Sequence, residues 1–199
     1  MSIMYHDGAR QLQDRFDSRR MADRLEQKLT RTMFSADDKT FIESVPYFFI
    51  ATADAQGQPD CSFKGGMPGF VRVTGDAELA FPDYDGNGMF KSLGNLIVNP
   101  NIGMLFIALH DKPKRLRVNG SARVSDSDPL LGETIGAQLI VRVQARAIFP
   151  NCPRYIPNMQ MTGPSIYTPQ PKCDPLEPSW KTSDSFKDVV PPRAPTWKG

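Results

Sequence analysis

The stretch over residues 78–107 constrains the fold more than any other part of the 199-residue chain. A short, half-apolar segment at 78–81 leads into a loop at 83–88 that is rich in Asp, Asn and Gly, which tolerate turn conformations. Apolar residues then recur at helical spacing until Asn99 and Pro100, and proline pushes its predecessor out of helical geometry. Residues 102–109 are nearly all apolar, as in a fully buried strand. The stretch therefore predicts strand, loop, helix, turn and strand.

The predicted central helix has an apolar face and a polar stripe. The apolar face consists of Met89, Leu93, Leu96 and Ile97. The polar stripe consists of Asn87, Lys91, Asn95 and Asn99, with Ser92 beside it. A helix start presents free N–H groups and favours an anion, so Lys91 and Ser92 would complete a phosphate site there. The alternative is an amphipathic surface helix whose lysine is merely solvated.

Short strands on both sides of this helix predict a mainly β fold. Segments 47–53, 59–64, 70–73 and 78–81 precede the helix at the close spacing of an antiparallel barrel. Alternation in 59–64 puts Cys61 and Phe63 on one face and Ser62 and Lys64 on the other. After the buried strand, 115–124 and 139–149 alternate cleanly, with a polar connection and about one helical turn between them. The inner face of the last strand is predicted to carry Val141, Val143, Ala145, Ala147 and Phe149.

The ends of the chain differ from this middle. Residues 7–32 predict one charged helix, and Ser35 is a good start for a second short helix that runs to Ser44. From residue 157 prolines are dense and apolar periodicity vanishes, which favours disorder. Five large apolar residues in this tail indicate instead that parts of it pack on the domain or on a neighbouring subunit; they are Trp180, Phe186, Val189, Val190 and Trp197. We therefore divide the chain into a helical extension (1–34), a barrel domain (35–157) and a proline-rich tail (158–199).

Composition narrows the classes of function. A net charge of +2 implies no polyanionic partner, and no apolar run reaches transmembrane length, so neither nucleic acid nor a membrane is expected as a partner. A nucleic-acid surface around the basic cluster would need interleaved aromatic residues, which are missing there; the cluster is Lys112, Lys114, Arg115 and Arg117. Three widely spaced cysteines predict neither a disulfide framework nor a metal site, and a reducing cytoplasm is the default. Two histidines, His6 and His110, make a Ser-His-Asp triad or histidine-rich metal chemistry a poor expectation.

Four motifs, taken in order, resemble the pyridoxamine 5'-phosphate oxidase-like family of FMN-binding split barrels. They lie at 81–87, 90–95, 99–106 and 149–156, and the likeness runs from about residue 35 to residue 156. The resemblance implies an antiparallel split β-barrel that forms a homodimer with two FMN sites at its interface. It also implies an FMN-dependent oxidoreductase acting on a small molecule. FAD, deazaflavin or haem are the alternative cofactors, and His110 is the only histidine in the core region for haem.

The resemblance also implies a set of cofactor-binding residues. Cations and hydroxyls for the phosphate would be Lys64, Lys91 and Ser92, with Asn87 and Asn95 on the same side as Lys91. The flavin ring would lie along Cys61, Ser62, Phe81 and Pro82, with Arg115 near its polar edge and Arg154 reaching the flavin of a partner subunit.

The chain departs from the family pattern at two of these places. Pro59 and Asp60 stand where oxidase members start a strand with arginine, and Ser92 replaces a basic residue. Fewer cations would then surround a phosphate. We name no catalytic residue, and a flavin or haem carrier without turnover remains the alternative.

Overall fold

The computed structural model describes residues 2–109, 113–173 and 176–192, and His110, Lys112 and Trp197 therefore lie outside the described residues. The four α-helices within these ranges are α1 (Asp7–Arg15), α2 (Arg19–Leu29), α3 (Ala36–Ser44) and α4 (Lys91–Val98). The strands are β1 (Tyr47–Ala53), β2 (Pro59–Gly65), β3 (Arg72–Val73), β4 (Glu78–Tyr84), β5 (Asn101–Ala108), β6 (Lys114–Ser125) and β7 (Ala137–Pro150). Two 3₁₀ turns lie at Pro129–Glu133 and Ser179–Thr182. The central strand, loop, helix, turn and strand are thus confirmed.

All seven strands belong to one antiparallel sheet in the order β2-β1-β5-β6-β7-β4-β3. The sheet is not closed, and β2 and β3 form its edges. Its inner face encloses the main core, where the Phe48 ring lies 5.0 Å from that of Phe81 and 5.1 Å from that of Phe106. The predicted mainly β, antiparallel fold class is confirmed.

A β-bulge changes the predicted inner face of β7. Asn119 pairs with Ala147 but its neighbour Gly120 pairs with Ala145, so Arg146 has no residue opposite it. The extra residue reverses the alternation, because successive side chains point to opposite faces. Ile148 therefore joins the main core, and the prediction that Ala147 and Phe149 continue the face of Val143 and Ala145 is wrong. A side chain is not accommodated at Gly120, where a Cβ would lie 2.2 Å from the carbonyl oxygen of Gln144.

Strand β5 also differs from its predicted burial. Its side chains alternate between buried ones, such as Met104 and Phe106, and half-buried ones, such as Leu105 and Ile107. The strand lies between β1 and β6, but only one face of the sheet meets the core. Apolar composition therefore predicted more burial than the sheet provides.

At the N-terminus, two helices replace the single helix predicted over residues 7–32. The chain turns between α1 and α2, where Asp17 adopts a left-handed conformation with φ 47°. The prediction for α3 is confirmed in detail. The Ser35 side chain accepts a hydrogen bond from the Asp38 amide, and the Asp38 carboxylate accepts one from the Ser35 amide, which is a capping box.

An ion-pair cluster fastens β7 to β4 and to the turn at Pro129–Glu133. The Arg142 guanidinium lies 2.5 Å from Asp128 and 2.8 Å from Glu78. The hydrogen bond from Arg142 lowers the pKa of the Asp128 carboxyl below its ordinary value. Burial raises the pKa of Glu78, but hydrogen bonds from Thr74 and Arg142 outweigh burial and lower it overall. Both carboxylates are therefore held charged in the folded protein.

The described part of the tail returns to the domain. The Met159 amide donates to the Leu109 carbonyl over 2.8 Å at the end of β5. Further along, the 3₁₀ turn at Ser179–Thr182 brings Lys181 against Asp85, in the loop that precedes α4. The interpretation that parts of the tail pack on the domain is confirmed for this segment.

Candidate ligand cleft

A cleft of about 1000 Å³ lies between the edge strand β2, the end of β4, the loop before α4 and the tail. This volume is at the upper end of the range typical of small-molecule sites. Six of the predicted cofactor-binding residues line it: Cys61, Ser62, Lys64, Asn87, Lys91 and Ser92. The structure thus brings together residues from β2 and α4 that lie about 30 positions apart in the sequence.

The start of α4 opens into this cleft without a cap. The residue before the helix, Phe90, is in the left-handed region with φ 46°, and no side chain in the described part of the chain accepts a hydrogen bond from the first turn. Free N–H groups at a helix start attract anions, and the exposed Lys91 adds a positive charge at the same place. The preceding loop is ordered by Asn87, whose side-chain oxygen accepts from the Met89 amide over 3.1 Å.

The inward face of β2 presents charged and polar side chains to the cleft. The Lys64 ammonium lies 3.2 Å from the Asp83 carboxylate of β4, which also accepts from Gln138 over 2.9 Å. The Ser92 hydroxyl donates to the Asp60 carboxylate over 3.0 Å and so ties the start of α4 to β2. Ser92 therefore has a protein partner, and Asp60 places a negative charge where a phosphate would approach.

Among the described residues that line the cleft, positive and negative charges balance. Three aspartates, Asp60, Asp83 and Asp85, face three lysines, Lys64, Lys91 and Lys181. Lys64 is paired with Asp83, and Lys181 lies 2.5 Å from Asp85. Among the described residues, Lys91 is the one cleft lysine without an acidic partner within ion-pair distance. It is therefore the cation most available to an anionic ligand.

Two predicted residues of the strands lie in the protein interior instead. Phe81 belongs to the main core against Phe48, and Pro82 is buried on β4. Neither lines the cleft. The structure does not bring them to the other predicted residues, although the strand that carries them does reach the cleft through Asp83 and Tyr84.

Much of the polar stripe of α4 holds the helix in place. The buried Asn95 amide donates to the Thr52 hydroxyl of β1 over 3.0 Å, and the Asn99 amide donates to the Asp54 carbonyl over 3.2 Å. Both residues thereby fasten α4 to the β1–β2 hairpin. Asn95 faces the protein rather than the cleft.

The two predicted arginines lie away from the cleft. The Arg115 guanidinium donates to the backbone carbonyl of Cys152, just after β7. Arg154 is exposed in the loop that follows β7. Neither lines the cleft of the same chain. A role for Arg154 in a partner subunit stays a prediction.

Sequence reasoning missed three contributors to the cleft. Tyr84 and Gln138 line it, and burial raises the pKa of the Tyr84 phenol to about 12, with Arg72 acting weakly in the opposite direction. The Tyr84 phenol therefore stays protonated throughout the neutral range. The tail is the third contributor. The large apolar residues of the tail were a signal that it packs on the domain, but nothing in their spacing indicated where.

A sequence model of the pyridoxamine 5'-phosphate oxidase family matches residues 34–162, which is well over half of the chain. The chain belongs to the pyridoxamine 5'-phosphate oxidase family. The matched region contains β1 to β7 and α4, and so all of the cleft except the wall formed by the tail.

Solved structures similar to this family member are distant. HupZ from Group A Streptococcus is 16% identical, with a TM-score of 0.47 over 64% of this chain and 100% of that one. An FMN-binding protein from Syntrophomonas wolfei is 9% identical, with a TM-score of 0.45 over 71% and 97%. HutZ, the haem storage protein of Vibrio cholerae, is 18% identical, with a TM-score of 0.43 over 59% and 95%. Sequence identities and TM-scores this low do not assign the ligands of these proteins to this chain. No curated protein matches the sequence.

In the described part of the chain, no three His, Cys, Asp or Glu side chains are grouped so that they could hold a metal ion. Likewise, none of the helices in residues 2–109, 113–173 and 176–192 has the length and apolar character needed to cross a bilayer.

Proposed function

We propose that the protein binds FMN in this cleft and acts as an oxidoreductase on a small molecule. The observation that carries the proposal is the uncapped start of α4, which opens into the cleft beside Lys91, a lysine with no acidic partner among the described residues. Free N–H groups together with one cation form a site for a phosphate monoester. Family membership supports the same ligand class.

The residues of the cleft fit a flavin. Lys91 and the first amides of α4 would hold the phosphate, and the β2 backbone at Cys61 and Ser62 would face the ring. β2 is an edge strand, so its outward N–H and C=O groups are not used by a neighbouring strand. A bound flavin supplies hydride and electron transfer, and the protein supplies binding and orientation. The protonated Tyr84 hydroxyl can donate a hydrogen bond to a polar ligand atom.

Reconstitution tests this proposal directly. Purified protein is incubated with FMN, desalted and examined for its visible spectrum, and the affinity is measured by calorimetry. A retained yellow chromophore that NADH, NADPH or a candidate substrate reduces supports an oxidoreductase. Absence of binding at high micromolar FMN would contradict the central claim.

We also propose that the protein is a homodimer whose flavin sites lie at the interface. The outer face of β1 and β2 carries an aromatic cluster in which the Phe63 ring lies 5.7 Å from those of Tyr47 and Phe49. Phe63 remains 60% exposed, and an exposed apolar cluster of this kind is typical of an interaction surface. An obligate interface would bury more than about 2,000 Å².

Sedimentation across a dilution series, with and without FMN, tests the dimer. Because FMN would bind only the assembled site, it should shift the equilibrium toward dimer. A monomer that retains stoichiometric FMN at low concentration would rule out a shared site. The same result would leave binding within one subunit intact.

A flavin or haem carrier without turnover is the second candidate, and the engagement of the cleft acids favours it. Asp60 accepts from Ser92, Asp83 is held by Lys64 and Gln138, and Asp85 pairs with Lys181. An acid held in this way is poorly placed to act as general acid or base. Bound flavin that no reductant or substrate reduces would support a carrier, as would a haem spectrum of the protein purified from cells.

A further inference from the structure

We infer that the tail segment 179–192 forms one wall of the ligand site and that Trp180 positions the flavin ring. This inference rests on the proposed flavin site and assigns a ring-binding surface to it. The segment supplies seven of the residues that line the cleft: Trp180, Lys181, Phe186, Val189, Val190, Pro191 and Pro192. All but Lys181 are apolar, whereas β2 and α4 contribute mostly polar groups.

The segment is fastened to the domain beside the cleft. Lys181 is only 8% exposed, and its ammonium lies 2.5 Å from Asp85 and 3.8 Å from Glu177. Burying a lysine is favourable only where it is paired, so this contact specifies where the segment lies. Asp85 belongs to the loop that leads into α4, so the anchor and the proposed phosphate site line the same cleft.

The anchored segment presents aromatic surface to the cleft. The Trp180 and Phe186 rings meet edge to face at 5.8 Å, which fixes their relative orientation. Trp180 nevertheless remains 40% exposed and Phe186 49% exposed. Large aromatic surface inside a cleft favours a planar aromatic ligand that covers it, and the isoalloxazine ring is such a ligand.

The charge distribution assigns the two ends of the ligand. The available cation, Lys91, lies at the start of α4, whereas the described tail lining contains one cation, Lys181, and that one is paired. The phosphate therefore belongs at α4 and the ring at the tail. The family match ends at residue 162, so this wall lies outside the matched region.

The inference is tested by measuring the affinity of the full-length protein for riboflavin and for FMN. Because Trp180 contacts the ring, Trp180→Ala should weaken both ligands by the same factor, about tenfold, whereas Trp180→Phe should stay within about threefold of the wild type. Flavin emission should be quenched in the wild-type complex by the adjacent indole and should recover in Trp180→Ala. Ile166→Ala is the matched control, because Ile166 is an exposed apolar tail residue that does not line the cleft.

The outcomes separate this inference from the proposed function. A wild-type protein that binds neither flavin overturns both. A wild type that binds FMN while Trp180→Ala binds riboflavin equally well, with unchanged quenching, overturns only the tail wall. Tighter binding by Trp180→Ala also overturns it, because the segment would then obstruct the ligand. Thermal melts of both Trp180 variants show whether either has lost its fold. If Trp180→Ala has, Trp180→Phe still tests the quenching, because it keeps an aromatic ring but lacks the indole.

Discussion

Replacing Lys91 by alanine distinguishes the contribution of the FMN phosphate to binding from the contribution of the flavin ring. The lysine is exposed, so its removal should leave the core and the cleft walls in place. Lys64 and Lys181 are already neutralised by aspartates, and Lys91 therefore supplies most of the positive charge available among the described residues of the cleft. Riboflavin lacks the phosphate and is the reference ligand. We expect Lys91→Ala to weaken FMN much more than riboflavin.

The expected loss of FMN binding free energy follows from the exposure of Lys91 and from the neighbouring amides of α4. A hydrogen bond to a charged group contributes about 1.5–3 kcal/mol to stability. Solvent screening at an exposed lysine favours the lower half of that range, and the amides of α4 remain as partners for the phosphate. We therefore expect a loss of about 1.5–2 kcal/mol for FMN, which is about 10- to 30-fold in Kd. Riboflavin should change by less than about twofold on the same scale.

Calorimetric titration of both ligands into wild type and variant at low and high salt measures this difference. The wild-type advantage for FMN should shrink as salt rises, because the lost contact is electrostatic. Lys39→Ala removes an exposed lysine of α3 outside the cleft and serves as the control. Equal losses for FMN and riboflavin would refute the assignment, since the lysine would then act on the ring or on the fold.

Three other substitutions test the cleft and the sheet. Asp60→Asn should tighten the binding of FMN about fivefold relative to that of riboflavin, because it removes a negative charge beside the proposed phosphate position. The factor corresponds to a solvated charge pair, which contributes about 1 kcal/mol. Titration with both ligands measures the change in affinity. Arg142→Met should lower the free energy of unfolding by about 3 kcal/mol at pH 7, because it leaves the buried Asp128 unpaired. The lowered pKa of Asp128 means that this stabilisation is complete above about pH 4 and is lost as the pH falls further, so urea melts of variant and wild type should converge in acid. Gly120→Ala should reduce stability by about 3 kcal/mol or more in thermal melts, because its Cβ would meet the backbone of Gln144.

Each of these substitutions has a result that would contradict it, and Gly120→Ala also has a matched control. Gly132→Ala introduces a methyl group with nothing within 4 Å and should be nearly neutral. Equal destabilisation by the two alanines would contradict the close approach at Gly120. An unchanged FMN preference in Asp60→Asn would place the phosphate away from α4. If Arg142→Met lowers the free energy of unfolding by the same amount at pH 3 and pH 7, lost packing rather than lost charge accounts for the destabilisation.

Local rules recovered most elements of the fold. Ser35 caps α3 as predicted, and the alternation predicted for β2 is seen in its burial, since Ser62 and Lys64 are half-buried whereas Cys61 and Phe63 are exposed. Such features depend on residues within a few positions of each other, and sequence periodicity reports them. The strand positions followed in the same way. The start of α4 did not: the helix begins at Lys91, so Asn87 and Met89 lie in the preceding loop rather than on the helix faces predicted for them.

Features that depend on distant partners could not be predicted. The bulge at Arg146 is forced by pairing with β6 and reverses the side of Ile148, although the sequence alternates without a break. Asn95 resembles a ligand residue by its spacing, but Thr52, which is 43 positions away, accepts its hydrogen bond. The tail joins the cleft through Lys181 and Asp85, which are 96 positions apart. None of these pairings leaves a signal in either segment alone.

The open edge of the sheet also bears on solubility. An unpaired β-strand edge is a template for pairing with another molecule, and proteins protect such edges with proline and with inward-pointing charges. β2 has both devices: Pro59 begins the strand, and Asp60 and Lys64 point into the cleft. The charged groups that line the cleft at this edge therefore also protect it from edge-to-edge aggregation. A substitution at Asp60 or Lys64 that suits a ligand better will consequently change the tendency of the protein to self-associate.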